Sequence, residues 1–252
     1  MRKPLAIALF LSVALALAVS PYVGAEATQK QGVRVTVDGA LNPRRLPREG
    51  SVPVSVSVAG EIQALGGASA LPQLQKLQIA INSAGHLDLR GVPRCRINHI
   101  NPSTNSEALA ACRSSLVGEG SFSANVVLPE QSPFPSKGKL LAFNGTIGRQ
   151  PALFAHIYGT DPLPTSYVFA FRVKRTKGTY GTILETSFPR ATGDWGYVTG
   201  ISLKLDKRFL SAGCPAPKGF SKAVFPLMRT SFQFKGGLDL KNTLNRSCEA
   251  KG

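Results

Sequence analysis

Apolar and polar positions alternate along most of this chain, and that alternation predicts β-strand almost throughout. Val33, Val35 and Val37 alternate with Arg34, Thr36 and Asp38, and Val52, Val54, Val56 and Val58 alternate with Ser55 and Ser57. A period of two sends each apolar set to one face, so each run predicts a strand with one side buried. The same signature recurs at 77–81, 122–128, 167–173, 201–205 and 232–240. Two runs differ. Residues 140–143 and 152–158 are apolar at successive positions, which predicts strands covered on both faces. Asn144-Gly145, between them, predicts a turn or a bulge. Further turn signals separate the strands at 42–50, 129–135 and 161–164, at Lys177-Gly178, at 193–196 and at Gly236-Gly237. The pattern gives about eleven strands and an all-β fold. Its simplest form is an antiparallel two-sheet β-sandwich, with a curved or partial barrel as the alternative. The halves on either side of 129–135 show a weak two-half organisation, so 26–252 reads as a single β-rich domain with a possible internal boundary there.

One stretch breaks the period. Between Pro93 and Leu128, Thr104 and Glu107 have the spacing of a capping box, in which hydroxyl and carboxylate each satisfy the other residue's backbone N–H. Leu109, Cys112 and Leu116 follow at helical spacing, and Gly118 is a stop signal. The spacing predicts one short helix with Cys112 facing inward. Cys95, just upstream, can reach it.

The N-terminus changes what counts as the folded chain. Arg2 and Lys3 precede an apolar run over 5–19, and Val23-Gly24-Ala25 offers a small-residue cleavage site; residues 1–25 therefore read as a secretory signal peptide. Export makes disulfides the expected state of the four cysteines. Three pairings exist, and the local one, Cys95–Cys112 with Cys214–Cys248, leaves no thiol over. Without residues 1–25 the chain carries 28 basic and 14 acidic residues, a net of +14. Outside a cell that charge predicts attraction to an anionic lipid or polymer surface of the envelope. Basic residues are not interleaved with aromatics on one strand, so no specific nucleic-acid partner is indicated. The cysteines lack zinc-site spacing, and no phosphate-cradling glycine loop, nucleophile elbow or calcium loop is present, so neither metal nor cofactor is expected.

Two places could carry chemistry. His156 lies with Phe154 and Tyr158 on one face of the run 152–158, and Asp161 and Ser166 follow within ten residues. Those types could form a hydrolytic triad only if they converge beside oxyanion donors. A histidine satisfied inside a covered strand is the plainer reading. Glu185 and Asp194 flank a turn with Trp195 and Tyr197, the parts of a sugar site and equally of an ordinary hairpin. His86 and Asp88 share a strand face two residues apart and would need a third ligand to hold a metal.

The segments GVPRCRINHINPSTNSEALAACRSSLVGEG, LPEQSPFPSKGKLLAFNG, PALFAHIYGTDPLPTSY and LSAGCPAPKGF resemble a family of secreted proteins from high-GC Gram-positive bacteria. The resemblance implies export and a bacterial envelope context, and it assigns no catalytic or binding residue. The expected function is that of a secreted, non-enzymatic β protein at an anionic or polymeric envelope surface. A secreted hydrolase or carbohydrate-binding protein is one alternative, and an interaction module of the envelope is another.

Overall fold

The computed structural model describes residues 24–66, 71–127, 130–161, 164–188 and 196–251. Most of the expected signal peptide, together with Asp194 and Trp195, lies outside the described residues. In chain order the strands are β1 (Glu26–Lys30), β2 (Val33–Asn42), β3 (Arg45–Pro47), β4 (Val52–Pro53), β5 (Ser55–Ala64), β6 (Leu74–Asn82) and β7 (Gly85–Leu87). A helix, α1 (Asn105–Cys112), precedes β8 (Leu116–Val126), β9 (Phe134–Ile147), β10 (Gln150–Gly159), β11 (Thr165–Arg175) and β12 (Tyr180–Ser187). β13 (Gly196–Leu205), β14 (Leu210–Ala212), β15 (Lys222–Phe234) and β16 (Asp239–Lys251) complete the chain. Among the described residues, no helix is long and apolar enough to cross a membrane.

Among the described residues, thirteen strands form one hydrogen-bonded sheet in the order β1-β2-β5-β13-β8-β9-β10-β11-β12-β6-β15-β16-β3. Its neighbours run antiparallel except β16 with β3. Where the sequence pattern predicts two sheets, the pairing is continuous, and the facing layers are opposite walls of one curled sheet. Strands far apart in its order, such as β2, β10 and β15, line a single internal cavity. The order also interleaves the two halves of the chain: β13 lies between β5 and β8, and β6 between β12 and β15.

The burial pattern follows the period of two. In β2, Val33, Val35, Val37 and Leu41 are buried while their neighbours are not. Removing each such side chain from water stabilises the fold by about 1.5–3 kcal/mol. The curl brings the edge strands together through side chains. Thr28 Oγ1 donates to the Lys241 carbonyl at 3.0 Å, Asn242 Nδ2 to the Glu26 carbonyl at 2.7 Å, and Arg246 Nε to the Gly39 carbonyl at 2.5 Å. One end of the curl is closed by the small sheet β4-β14-β7, all of whose strands arise from connections at that end. Leu46, Val54, Leu87, Phe209 and Leu210 pack there, beside the Cys214–Cys248 disulfide.

The helix forms where its capping box predicts. The Thr104 N–H donates to Glu107 Oε2 at 2.8 Å, and the Glu107 N–H donates to Thr104 Oγ1 at 3.3 Å. The Cys95–Cys112 disulfide ties α1 to the segment before it. Together they cover the outer face of β9 and β10, making a second small core from Ile100, Ala108, Leu141, Phe143, Ala152 and Phe154. This is why these two strands are apolar on both faces.

Asn144-Gly145 neither turns nor interrupts the ladder but lies inside β9, paired with Leu153 and Ala152. Asn144 Nδ2 donates to the carbonyls of Val92 (2.9 Å) and Pro93 (3.2 Å), docking the stapled segment. A Cβ at Gly145 would clash with the Cδ2–Cε2 edge of the Phe154 ring. Phe154 is fully buried and cannot yield cheaply. Gly145→Ala is therefore expected to destabilise the protein by about 2–3 kcal/mol, read from a urea-unfolding midpoint. An unchanged midpoint would show that the ring can move.

Candidate functional site

His156 is fully buried on the outer face of β10, beneath the stapled segment. Its Nε2 lies 3.0 Å from the Ser103 carbonyl, 3.2 Å from Ser103 Oγ and 3.4 Å from Ser166 Oγ. The Ser103 hydroxyl donates to the Ile100 carbonyl at 3.0 Å. This network assigns the proton to Nε2, because a carbonyl can only accept. The basic nitrogen is then Nδ1, which is buried and has no hydrogen-bond partner among the described residues. Two serines and a histidine do converge, but neither hydroxyl meets a free nitrogen lone pair, so the arrangement does not activate a nucleophile. Among the described residues no hydrogen bond or ion pair joins Asp161 to His156. Asp161 is exposed, and its carbonyl accepts from Ser136 Oγ at 2.6 Å. Tyr158 is half-buried between its ladder partners Lys139 and Ser166.

Burial pushes the His156 pKa below its ordinary value, and the hydrogen bond to Ser103 opposes that only in part. The folded imidazole stays neutral while the unfolded one takes a proton below about pH 6.5. The unfolded state then binds more protons, so stability falls as pH drops through that value towards the folded pKa. The melting temperature is expected to fall between pH 7 and pH 5, and His156→Gln to flatten that slope. Equal slopes for the two proteins would remove His156 as the cause.

The other candidates are placed as follows. Glu185 receives Lys76 Nζ at 3.0 Å and Lys174 Nζ at 3.2 Å. Lys76 above all, and Lys174 with it, hold the carboxyl below its ordinary value against the opposing effect of burial. An ionised, doubly paired carboxylate is a poor proton donor for glycoside cleavage. Tyr197 accepts a hydrogen bond from Asn125 Nδ2 at 3.1 Å on the outer face of the β8–β13 pair. Asp88 is clamped by Arg90 at 2.8 and 2.9 Å, which holds its carboxyl well below the usual range. It is thereby occupied as a ligand for a metal beside His86.

A different surface stands out, and the sequence pattern did not indicate it. The turn before β15 carries Phe220, 63% exposed, and β15 begins with Lys222 and then Val224, 76% exposed. The turn is held from three sides. Arg48 Nη1 donates to the carbonyls of Ala216 (2.7 Å) and Pro217, and Nη2 to that of Phe220 (2.8 Å). Cys214, at the start of the turn, is bonded to Cys248 of β16. The Ser221 carbonyl accepts from the Ala250 N–H at 2.8 Å. Around this fixed tip stand Arg44, Arg45, Arg48, Lys218, Lys222 and Lys251, against the acids Glu49 and Glu249. Neighbouring placement follows from the parallel pairing of β3 with the end of β16 and from the Lys222–Glu249 ladder pair. The tip is rigid, apolar at its crest and basic at its flanks.

The chain matches no protein-family model, and no curated protein or solved structure matches it.

Proposed function

We propose that this is a non-enzymatic protein that docks on an anionic phospholipid surface through the Phe220 tip, outside the cytoplasm. The observation that carries the reading is an exposed phenylalanine, pinned by Arg48 and a disulfide, with Lys218 and Lys222 on either side. An aromatic ring in water gains from sinking into the boundary between headgroups and acyl chains. Basic side chains near an anionic leaflet each add about 1 kcal/mol, which salt screens. Because the backbone is already fixed, docking costs little ordering. The two disulfides suit an oxidising compartment, and the +14 charge gives a long-range pull towards the same surface.

Cosedimentation with phosphatidylglycerol–phosphatidylcholine vesicles tests this. Binding is expected to fall roughly tenfold in Phe220→Ala, the loss of part of one buried ring. The pair Lys218→Glu with Lys222→Glu should abolish binding, and pure phosphatidylcholine should bind little. A Phe220→Ala protein that binds as tightly as the parent, while the charge reversal abolishes binding, would point instead to a phosphate-rich or acidic polymer as the surface.

A further inference from the structure

The outer face of the sheet carries a cleft rich in uncharged hydroxyls and amides. The β5–β13 ladder ends at the Glu61–Gly200 pair. Beyond it, among the described residues, β5 pairs only with β2 and β13 only with β8. Where the two strands part, a cleft of about 530 Å³ opens across β5, β13 and β8. Ser121, Ser123, Asn125, Tyr197, Thr199 and Ser202 line it.

Register explains how they come together. Ser121 pairs with Ser202 and Ser123 with Gly200 on the outer face, while Phe122 pairs with Ile201 and packs in the core. Tyr197 and Thr199 have the phase of Ile201 and Leu203, so regular alternation would turn both inwards. A bulge between Val198 and Gly200 shifts that phase and pairs Tyr197 with Asn125 on the outer face. Thr199 is the extra residue, and its hydroxyl donates to Ser123 Oγ at 3.2 Å. The bulge therefore brings to the cleft two side chains that an unbroken strand would withhold.

The polar groups are held in place without being used up. Asn125 Nδ2 donates to the Tyr197 hydroxyl at 3.1 Å, and that hydroxyl keeps its own proton to give. Ser202 Oγ accepts from the Ser121 N–H at 3.1 Å and lies 2.8 Å from Ser121 Oγ. Glu61 Oε2 accepts from Gln63 Nε2 at 3.5 Å, and a carboxylate has room for further donors. Gly200 leaves the floor open, because a Cβ there would stand 2.7 Å from Ser123 Oγ.

Charge narrows the ligand. The chain holds 30 lysines and arginines, yet among the described residues none lines the cleft, and Glu61 is its one charged side chain. By register the basic neighbours, Arg34 on β2 and Lys137 and Lys139 on β9, stand one strand outside it. Lys139 is engaged by Glu119 at 2.8 Å. A phosphate or carboxylate ligand would face Glu61 with no cation in the wall to offset the repulsion.

We propose that the cleft binds an uncharged oligosaccharide lying across β5, β13 and β8. Sugar hydroxyls both donate and accept, as do the serine, threonine and tyrosine hydroxyls that would meet them. The Glu61 carboxylate can take two neighbouring sugar hydroxyls, and the apolar C–H face of a pyranose packs on a ring such as that of Tyr197. Three strands at their usual spacing span about 10 Å, wide enough for more than a single sugar ring. The site shares no residue with the Phe220 tip and does not rest on the bilayer-docking reading.

Isothermal titration calorimetry of the full mature chain against maltohexaose, cellohexaose, mannohexaose and chitohexaose (the N-acetylated form) tests this, with hexagalacturonate at high salt as the anionic counterpart. At least one neutral hexamer is expected to bind saturably with a Kd below about 1 mM. Hexagalacturonate should bind at least tenfold more weakly. Glu61→Ala removes an acceptor from an exposed position, and Gly200→Val fills the floor. Each should weaken the neutral binding at least fivefold, with circular-dichroism melting as the check that the variant is folded. Phe220→Ala should bind the sugar like the parent while losing vesicle binding. The proposal is overturned if no neutral hexamer binds, if hexagalacturonate binds as tightly as the neutral sugars, or if Glu61→Ala, once folded, binds like the parent.

Discussion

Arg246→Ala is expected to destabilise the protein by about 3 kcal/mol, the cost of removing one member of a largely buried hydrogen-bonded charge. The guanidinium is 7% exposed and holds the seam of the curl. Nε donates to the Gly39 carbonyl at 2.5 Å, Nη1 to the Asn245 carbonyl at 2.6 Å, and Nη2 to Asp38 Oδ1 at 2.6 Å. Asp38 is 55% exposed, so the Coulombic part of that pair is screened. Most of the effect therefore lies in the carbonyls left without a donor. Asp38→Asn should cost only about 1 kcal/mol. Arg246→Lys should recover little, because an ammonium cannot reach three acceptors set in a planar fork. Urea unfolding of the three variants measures this. A loss below 1 kcal/mol for Arg246→Ala would mean that apolar packing alone, such as Leu244 against Gly39, closes the seam.

The second large effect is expected from Cys214→Ala with Cys248→Ala. The disulfide closes a loop with a sequence separation of 34, and its removal frees the unfolded chain by about 4 kcal/mol in the loop-entropy account. Both sulfurs are buried, so alanine avoids stranding a serine hydroxyl in an apolar site. The loss has a functional side too. The turn 214–221 would keep Arg48 but lose its covalent root, and vesicle binding should weaken even at temperatures where the variant is folded. Calorimetry and cosedimentation on the same samples separate the two effects. A variant that melts like the parent would show that Arg48 and the β3–β16 pairing suffice. The shorter Cys95–Cys112 bond, separation 17, should be worth about 3 kcal/mol on the same account.

Local chemistry was legible in the sequence; partnership was not. The capping box at Thr104 and Glu107, the inward Cys112 and the doubly covered run around Phe154 each follow from spacing within a few residues, the two disulfides join cysteines that are successive in the chain, and each is present. A period of two tells which side of a strand is buried but not which strand lies beside it, so one curled sheet and two stacked sheets write the same pattern. Arg246 looks like any exposed basic residue until Gly39, 207 positions away, is placed next to it. His156 was legible as a covered histidine, while Ser103, which fixes its tautomer, lies in a segment with no periodicity. Phe220 gave no signal, because a lone aromatic in a proline-rich loop is as often tucked in as displayed. Its exposure depends on Arg48 holding the turn open from another part of the chain.

The strand order also dictates when the molecule can fold. Gly200 pairs with Glu61, and Thr230 with Ile79, partners more than half the chain apart. β5 and β6 are made early but remain with open edges until β13 and β15 arrive from the C-terminal half. Contacts of such range form slowly, and unpaired edges invite aggregation in the meantime. A chain emerging from a membrane pore N-terminus first would stay unfolded, and so threadable, until nearly all of it had passed through. The same topology predicts slow refolding from denaturant, because both open edges wait for strands from the C-terminal half.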